Sequence, residues 1–391
     1  MQLKHITLVA LASYAFAQDS SEPQSLNATL SGNEQLSNLT SFLGLAPELL
    51  IALSNATNIT ILAPSNEAFA AFANSSAAAS VASDPGLLAA VLQYHVLNGT
   101  YTASQITKMS AFVPTLLTNE TYANVTGGQV VEAVTIGNET VFYSGLLQNA
   151  TVSQANVNFT GGVVHIIDRV LTLPANVYDT AGAANLTSLR GAANATNLLD
   201  TVNNTPDITI FAPTNEAFNS VGDSLESLSE EDLANVLGYH VVVGTVAYSS
   251  TLGNGTSVQA SNGGNLTITI DGNGTVFVNS ARVLTPNVLV ANGVVHIIDN
   301  VLNPDSTAAP SESVTTGAPA FSTGTPDSEA PFTSGQPEPT TTITPTTEGA
   351  GPAASTAASS SSSAGTMPQM TGAVGYGALF GAGAAVFFGA Q

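Results

Sequence analysis

Three blocks of sequence occur twice, in the same order, within this 391-residue chain. "NITILAPSNEAF" at 58–69 returns as "DITIFAPTNEAF" at 207–218, "VLQYHV" at 91–96 as "VLGYHV" at 236–241, and "GGVVHIIDRVL" at 161–171 as "NGVVHIIDNVL" at 292–302. A duplication on this scale calls for one domain that closes its own core twice, and each copy is long enough to do so. The copies differ in length: His95 and His165 lie 70 positions apart, His240 and His296 only 56. The extra residues of the first copy carry several Asn-x-Ser/Thr sequons and read as a surface insertion.

Each block has a local reading. Ile59, Ile61 and Ala63 alternate with Thr60 and Leu62 until Pro64, which gives a strand that must stop. Ser65-Asn66 and Thr214-Asn215 then cap helices that open on Glu-Ala-Phe, with Glu67 and Glu216 favourably placed in the first turn. Leu88, Val91, Leu92 and His95 fall at i, i+3, i+4 and i+7, as do Leu233, Val236, Leu237 and His240, so the second block is a helix end with its histidine on the apolar face. Asp84-Pro85 supplies a cap and first helical position in one copy, Ser229 with Asp232 a capping-box-like pair in the other. In the third block Val163, His165 and Ile167 face one way and Val164 and Ile166 the other, which describes a strand covered on both faces. Helical patterning over 33–53 precedes the first strand, and the class is α+β.

Residues 1–17 join Lys4 and His5 to an apolar run and end on Ala15-Phe16-Ala17, the pattern of a secretory signal. The chain has no cysteine, so a secreted product is held by hydrophobic burial alone, and thiolate chemistry is excluded. Five Lys and Arg against 27 Asp and Glu leave a net charge of −22, which excludes nucleic-acid binding and repels anionic lipid. Sequons stand at Asn27, Asn38, Asn55, Asn58, Asn74, Asn98, Asn119, Asn124, Asn138, Asn149, Asn158, Asn185, Asn194, Asn203, Asn254, Asn265 and Asn273. Composition alone would supply about six, so a heavily glycosylated extracellular surface is expected.

Beyond Leu302 the chain turns to Pro, Ser, Thr, Ala and Gly without an apolar face, and 304–363 is expected to be a disordered, O-glycosylated stalk. Residues 373–390 are apolar but hold five glycines and no basic residue follows them, which argues against a membrane span. Small residues at 363–365, a polar spacer and this apolar tail match a glycosylphosphatidylinositol signal in which 364–391 is removed. Ser363 is the expected attachment residue, with Ser362, Ala364 and Gly365 close alternatives.

The duplicated blocks resemble the fasciclin (FAS1) domain family, over about 24–172 and 176–303. The resemblance rests on T-I-x-A-P-(S/T)-N-x-A-F, the Tyr-His pair and G-V-V-H-x-I-D-x-V-L, in family order and twice. It implies two tandem FAS1 domains, each a wedge-shaped β-sandwich with helices packed along one edge, in a secreted or membrane-anchored protein of fungal type. In the family the Tyr-His region is associated with adhesion contacts, which implies Tyr94, His95, Tyr239 and His240 as contact candidates. Their place on an apolar face also suits a purely structural role.

No catalytic constellation emerges. His165 and Asp168, like His296 and Asp299, are three apart in a strand and face opposite sides, so no metal set and no cofactor is expected. "GDSL" at 222–225 resembles the nucleophile block of GDSL hydrolases, but it lies mid-chain and has no counterpart in the other copy, so esterase chemistry at Ser224 is a remote alternative. The expectation is a surface adhesion glycoprotein acting by multivalent contacts with cell-surface or matrix proteins, or with itself. It would be anchored by lipid at the outer face of the plasma membrane, or in the cell wall, with the vacuolar membrane as the other location. A wall-structural or polysaccharide-binding role is the second class, disfavoured by the absence of Trp. Asn98 carries a sequon directly after the first Tyr-His block and the second copy has none there, so the second module is expected to make most direct contacts.

Overall fold

A computed structural model describes residues 23–306, 317–321, 330–336 and 343. The signal-like segment 1–17, most of the expected stalk 304–363, Ser363 and the tail 364–391 lie outside the described residues. The first module contributes β1 (Ile59–Pro64), β2 (Val96–Asn98), β3 (Ala111–Pro114), β4 (Val130–Ile136), β5 (Glu139–Tyr143), β6 (Asn149–Phe159) and β7 (Gly162–Ile167). The second repeats the set as β8 (Ile208–Pro213), β9 (Val241–Val243), β10 (Ser257–Gln259), β11 (Asn265–Ile270), β12 (Val276–Val278), β13 (Ala281–Val290) and β14 (Gly293–Ile298). The strand orders, β2-β1-β7-β6-β5-β4-β3 and β10-β11-β12-β13-β14-β8-β9, are one topology read from opposite ends. Among the described strands only β1 with β7 and β8 with β14 run parallel, which puts the first and third blocks side by side within each sheet.

The sheets do not stay flat. β6 shifts register against β7 between Val152 and Val157, and β13 against β14 between Val283 and Val288, so each long strand bends and serves two halves of its sheet. That bend creates two cores per module. Ile61, Ala63, Val164 and Ile166 pack against helices, while Leu62 and Ile167 face Val131, Ala133 and Phe142 between the half-sheets. The two-sided burial expected of the third block is thus met, with helices on one face and the folded-over sheet on the other.

The helices follow their caps. Ser65 Oγ accepts the Ala68 N–H and Thr214 Oγ1 that of Ala217; Asp84 caps Pro85–Tyr94 and Ser229 caps Glu230–Gly238. Asn66 and Asn215 do more than open a helix. Asn66 Oδ1 accepts the Asn38 N–H and its Nδ2 donates to the Glu34 carbonyl, and Asn215 Oδ1 accepts the Ser188 N–H, so each ties its helix to the preceding ones. The patterned stretch 33–53 is two α-helices, Ser37–Gly44 and Pro47–Asn55, bent by 117° because Pro47 starts a new one.

The extra length of the first module is not a free surface loop. Residues 115–129, between β3 and β4, reach the second module: Asn124 N–H donates to the Ala291 carbonyl, Thr126 N–H to Asp207 Oδ1, and the buried Gln129 Nε2 to the Val290 carbonyl. Phe112 stacks on Tyr248 with ring centroids 4.0 Å apart. Glu132 of β4 is buried there, and loss of water raises its pKa to about 6 against hydrogen bonds to Ser110 and Asn287 that lower it. Pieces of the tail also lie on the second module, where Gly317 N–H donates to Asp299 Oδ2 and Phe332 packs edge-on to Phe218.

Candidate functional site

The Tyr-His pairs sit where a helix passes into the strand beside the parallel pair. Their side chains do not face a partner. Tyr94 and His95 are 0% and 5% exposed, Tyr239 and His240 5% and 1%, which corrects the expectation of contact residues. The roughly 100° between neighbours on a helix sends the tyrosine into the second core instead of into solvent. Tyr94 packs with Leu62 and Phe142 between the half-sheets, and its hydroxyl donates to the Val130 carbonyl at 2.9 Å. Tyr239 does the same in the second module, donating to Asn265 O at 2.8 Å while accepting from Asn279 Nδ2 at 2.9 Å.

The histidines are staples. His95 Nε2 accepts the Leu171 N–H at 2.9 Å, which leaves the proton on Nδ1 to be donated to the Val91 carbonyl at 2.7 Å. His240 repeats this with Leu302 and Val236 at 2.9 and 2.8 Å. Each ring thus ties the helix end to the last residue of the third block. His165 and His296 use the opposite tautomer: Nδ1 accepts from Asn156 or Asn287, and Nε2 donates to Tyr101 or Ala247. Asn156 and Asn287 are the left-handed residues of the bulged strands, at φ 60° and 65°, so these histidines hold the bend in place. Burial drives the pKa of His95, His240 and His296 from 6.5 down to about 4, against a backbone hydrogen bond that raises it, and lowers that of His165.

This arrangement decides what chemistry remains. Both ring nitrogens of the four histidines among the described residues are engaged by backbone, so none of these is free to ligate a metal or act as a base. Among the described residues no group of three His, Asp or Glu is placed to hold a metal ion. Asp168 and Asp299 close strand ends, accepting the N–H of Thr151 and Arg282. Ser224 lies in the short helix Gly222–Glu226 with its N–H donating to the Val221 carbonyl.

Sequence reasoning missed the partners of these staples because they lie far along the chain. It also missed Thr60 and Thr209, fully buried, whose hydroxyls donate to Gly99 O and Thr245 O while accepting the N–H of Tyr101 and Ala247. Nearly all the sequon asparagines are exposed; Asn203 is half-buried, and so is Asn124, whose Nδ2 donates to Asn204 O between the modules. The modules differ most at the edge strand beside the Tyr-His junction. Asn98, exposed and bearing a sequon, ends β2; its counterpart at the end of β9 is Val243, 50% exposed.

The sequence profile of the fasciclin domain family matches residues 34–174 and 184–304. A protein of Arthroderma benhamiae named fasciclin-like arabinogalactan protein is 36% identical over 346 residues, 88% of this chain and 80% of its own length. A second protein with that description, from Phaeosphaeria nodorum, is 31% identical over 281 residues, 72% of this chain and 89% of its own. A solved FAS1 domain pair from the insect cell adhesion molecule fasciclin I aligns over 68% of this chain and 96% of its own, at 24% identity and a TM-score of 0.32.

Proposed function

The chain belongs to the fasciclin domain family, and from that premise we propose that it is a surface adhesion glycoprotein acting by non-catalytic, multivalent contacts of its two modules. The observation that carries this reading is the fate of the histidines. A family block that repeats Tyr, His and Asp twice supplies staples rather than a reactive centre, since each of the four imidazoles among the described residues is consumed by backbone hydrogen bonds. Ser224 therefore has no histidine available to it in either module, which disfavours an esterase.

With the tyrosines and histidines buried, contact falls to the surface around them. Sheet edges are natural templates for another chain, and here one edge carries a sequon while the other carries a bare valine. The second module, at β9 around Val243, is the contact surface in this reading, and a glycan on Asn98 screens the equivalent edge of the first. Each contact is weak; many anchored copies on one surface make it useful. A secretory signal at 1–17, a stalk over 304–363 and a lipid anchor at Ser363 would present the modules in this way at the plasma membrane or wall. The name arabinogalactan protein borne by the relatives supports a wall-associated role as the second reading.

Beads coated with the glycosylated two-module chain, alone and mixed with cells of the source organism, test the proposal. Clustering of coated beads, or their capture by cells, is expected. Beads that remain dispersed and ignore the cells would refute adhesion and favour the wall-structural role.

A further inference from the structure

The second module carries a cleft lined by an arginine where its sister has a leucine. The helices Val177–Ala183, Thr187–Ala195 and Leu199–Asn204 leave a cleft of about 110 Å³ above β8 and β9. Its walls include Val177, Leu189, Leu198, Val202, Ile210 and Val241, and the half-exposed Val243 lies at its edge. Into this apolar lining comes one cation, Arg190. Arg190 is only 9% exposed, and its guanidinium carbon stands 3.5 Å from the centroid of the Tyr178 ring. Nε is buried without a hydrogen-bond partner, and no described residue accepts a hydrogen bond from the rest of the group. Gly182 leaves the room this placement needs, since a β-carbon there would collide with Nη1.

The fold itself does not need this charge. Aligning "NLTSFLG" at 38–44 with "NLTSLRG" at 185–191 puts Leu43 at the position of Arg190, and Leu43 is an ordinary member of the first module's core. A buried cation with no counter-charge is unfavourable, and the chain had 27 carboxylates from which to provide one. We infer that the cleft binds a small apolar carboxylate: the carboxylate pairs with Arg190 and the apolar group fills the lined space. Tyr178 stands against the guanidinium, and the two terminal nitrogens, unlike Nε, are not sealed from solvent, so they can take a two-pronged carboxylate contact that suits arginine better than lysine. Because a 150 Å³ apolar cavity accepts benzene, this one suits about a phenyl ring or a short acyl chain. The case for such binding does not rest on the adhesive role, although Val243 borders both sites.

Thermal unfolding of the full chain at pH 7, with benzoate or hexanoate as probes, provides the test. Benzyl alcohol, hexanol and inorganic phosphate serve as comparisons. Both acids are expected to raise Tm saturably, with the matching alcohols binding about tenfold more weakly or worse. Arg190→Leu, which installs the residue the first module already uses, should fold and lose the preference for acid over alcohol. Equal protection by alcohols, equal protection by phosphate, no shift with either acid, or an unchanged preference in Arg190→Leu would each overturn the inference. If that variant does not fold, the acid-to-alcohol comparison on the unaltered chain decides alone.

Discussion

Mild acid should destabilise this protein through its buried histidines. In the folded chain His95, His240 and His296 stay neutral down to about pH 4, whereas in the unfolded chain they titrate near 6.5. Between those values the unfolded state binds more protons, so stability is constant above about pH 7.5, begins to fall near 6.5 and falls steadily as pH drops towards 4. One unit below the unfolded pKa, at pH 5.5, each such histidine costs roughly 1–2 kcal/mol, or about 3 kcal/mol for the second module, which holds two of them. The first module loses the share of His95 plus a further contribution of the same sign from His165. Glu132 works the other way: with its folded pKa raised to about 6, it favours the folded state as pH falls, by less than about 1 kcal/mol between pH 7.5 and 5.5. The chain has no tryptophan, so urea unfolding would be followed by far-UV circular dichroism and tyrosine emission at pH 7.5, 6.5 and 5.5. Midpoints should fall a little from pH 7.5 to 6.5, by about 0.4 kcal/mol per histidine, and drop clearly at 5.5, most for the second module. A midpoint that is unchanged or higher at pH 5.5 would refute the neutral, doubly bonded histidines.

The same contacts have other consequences. Thr209→Val keeps the shape but strands the Thr245 carbonyl and the Ala247 N–H, and should destabilise the second module by about 1–3 kcal/mol in urea titration. Tyr239→Phe removes the bond to Asn265 O and leaves Asn279 Nδ2 without its acceptor, a loss of about 1–2 kcal/mol by the same assay. Gln129→Ala removes the donor to Val290 O between the modules and should make the two unfold less cooperatively, visible as a broader or split calorimetric transition. Ser224→Ala should leave both stability and any background turnover of p-nitrophenyl esters unchanged; a lost turnover would revive the hydrolase reading.

Much of the architecture was legible because it is written in local pattern. Ile59–Pro64 alternates and stops at a proline, Ser65 and Thr214 cap the helices after the first strand of each module, and Val163–Ile167 is apolar on both faces. The position of the histidines was legible for the same reason, since His95 and His240 fall on the stripe that faces the core. Their purpose was not, because the groups they bind lie far along the chain: Leu171 is 76 residues from His95 and Leu302 62 from His240. Burial of the tyrosines was hidden too, because helical periodicity registers one core, whereas the bend in β6 builds a second that receives Tyr94. Residues 115–129 show the same limit, since polarity and sequons signal a surface but not that another module covers it.

The placement of the adhesive contact can be put to trial by adding a glycan to the second module's edge. Val243→Asn converts Val-Gly-Thr into the sequon that Asn98-Gly99-Thr100 already forms in the first module, at a position that is exposed and outside both cores. Once glycosylation of the variant is confirmed by mass, bead clustering and cell capture are measured against the unaltered chain and against Asn98→Gln. If β9 makes the contact, the added glycan abolishes or sharply reduces adhesion, and removal of the Asn98 glycan increases it. Undiminished adhesion by the glycosylated Val243→Asn variant would show that the contact lies elsewhere than on β9.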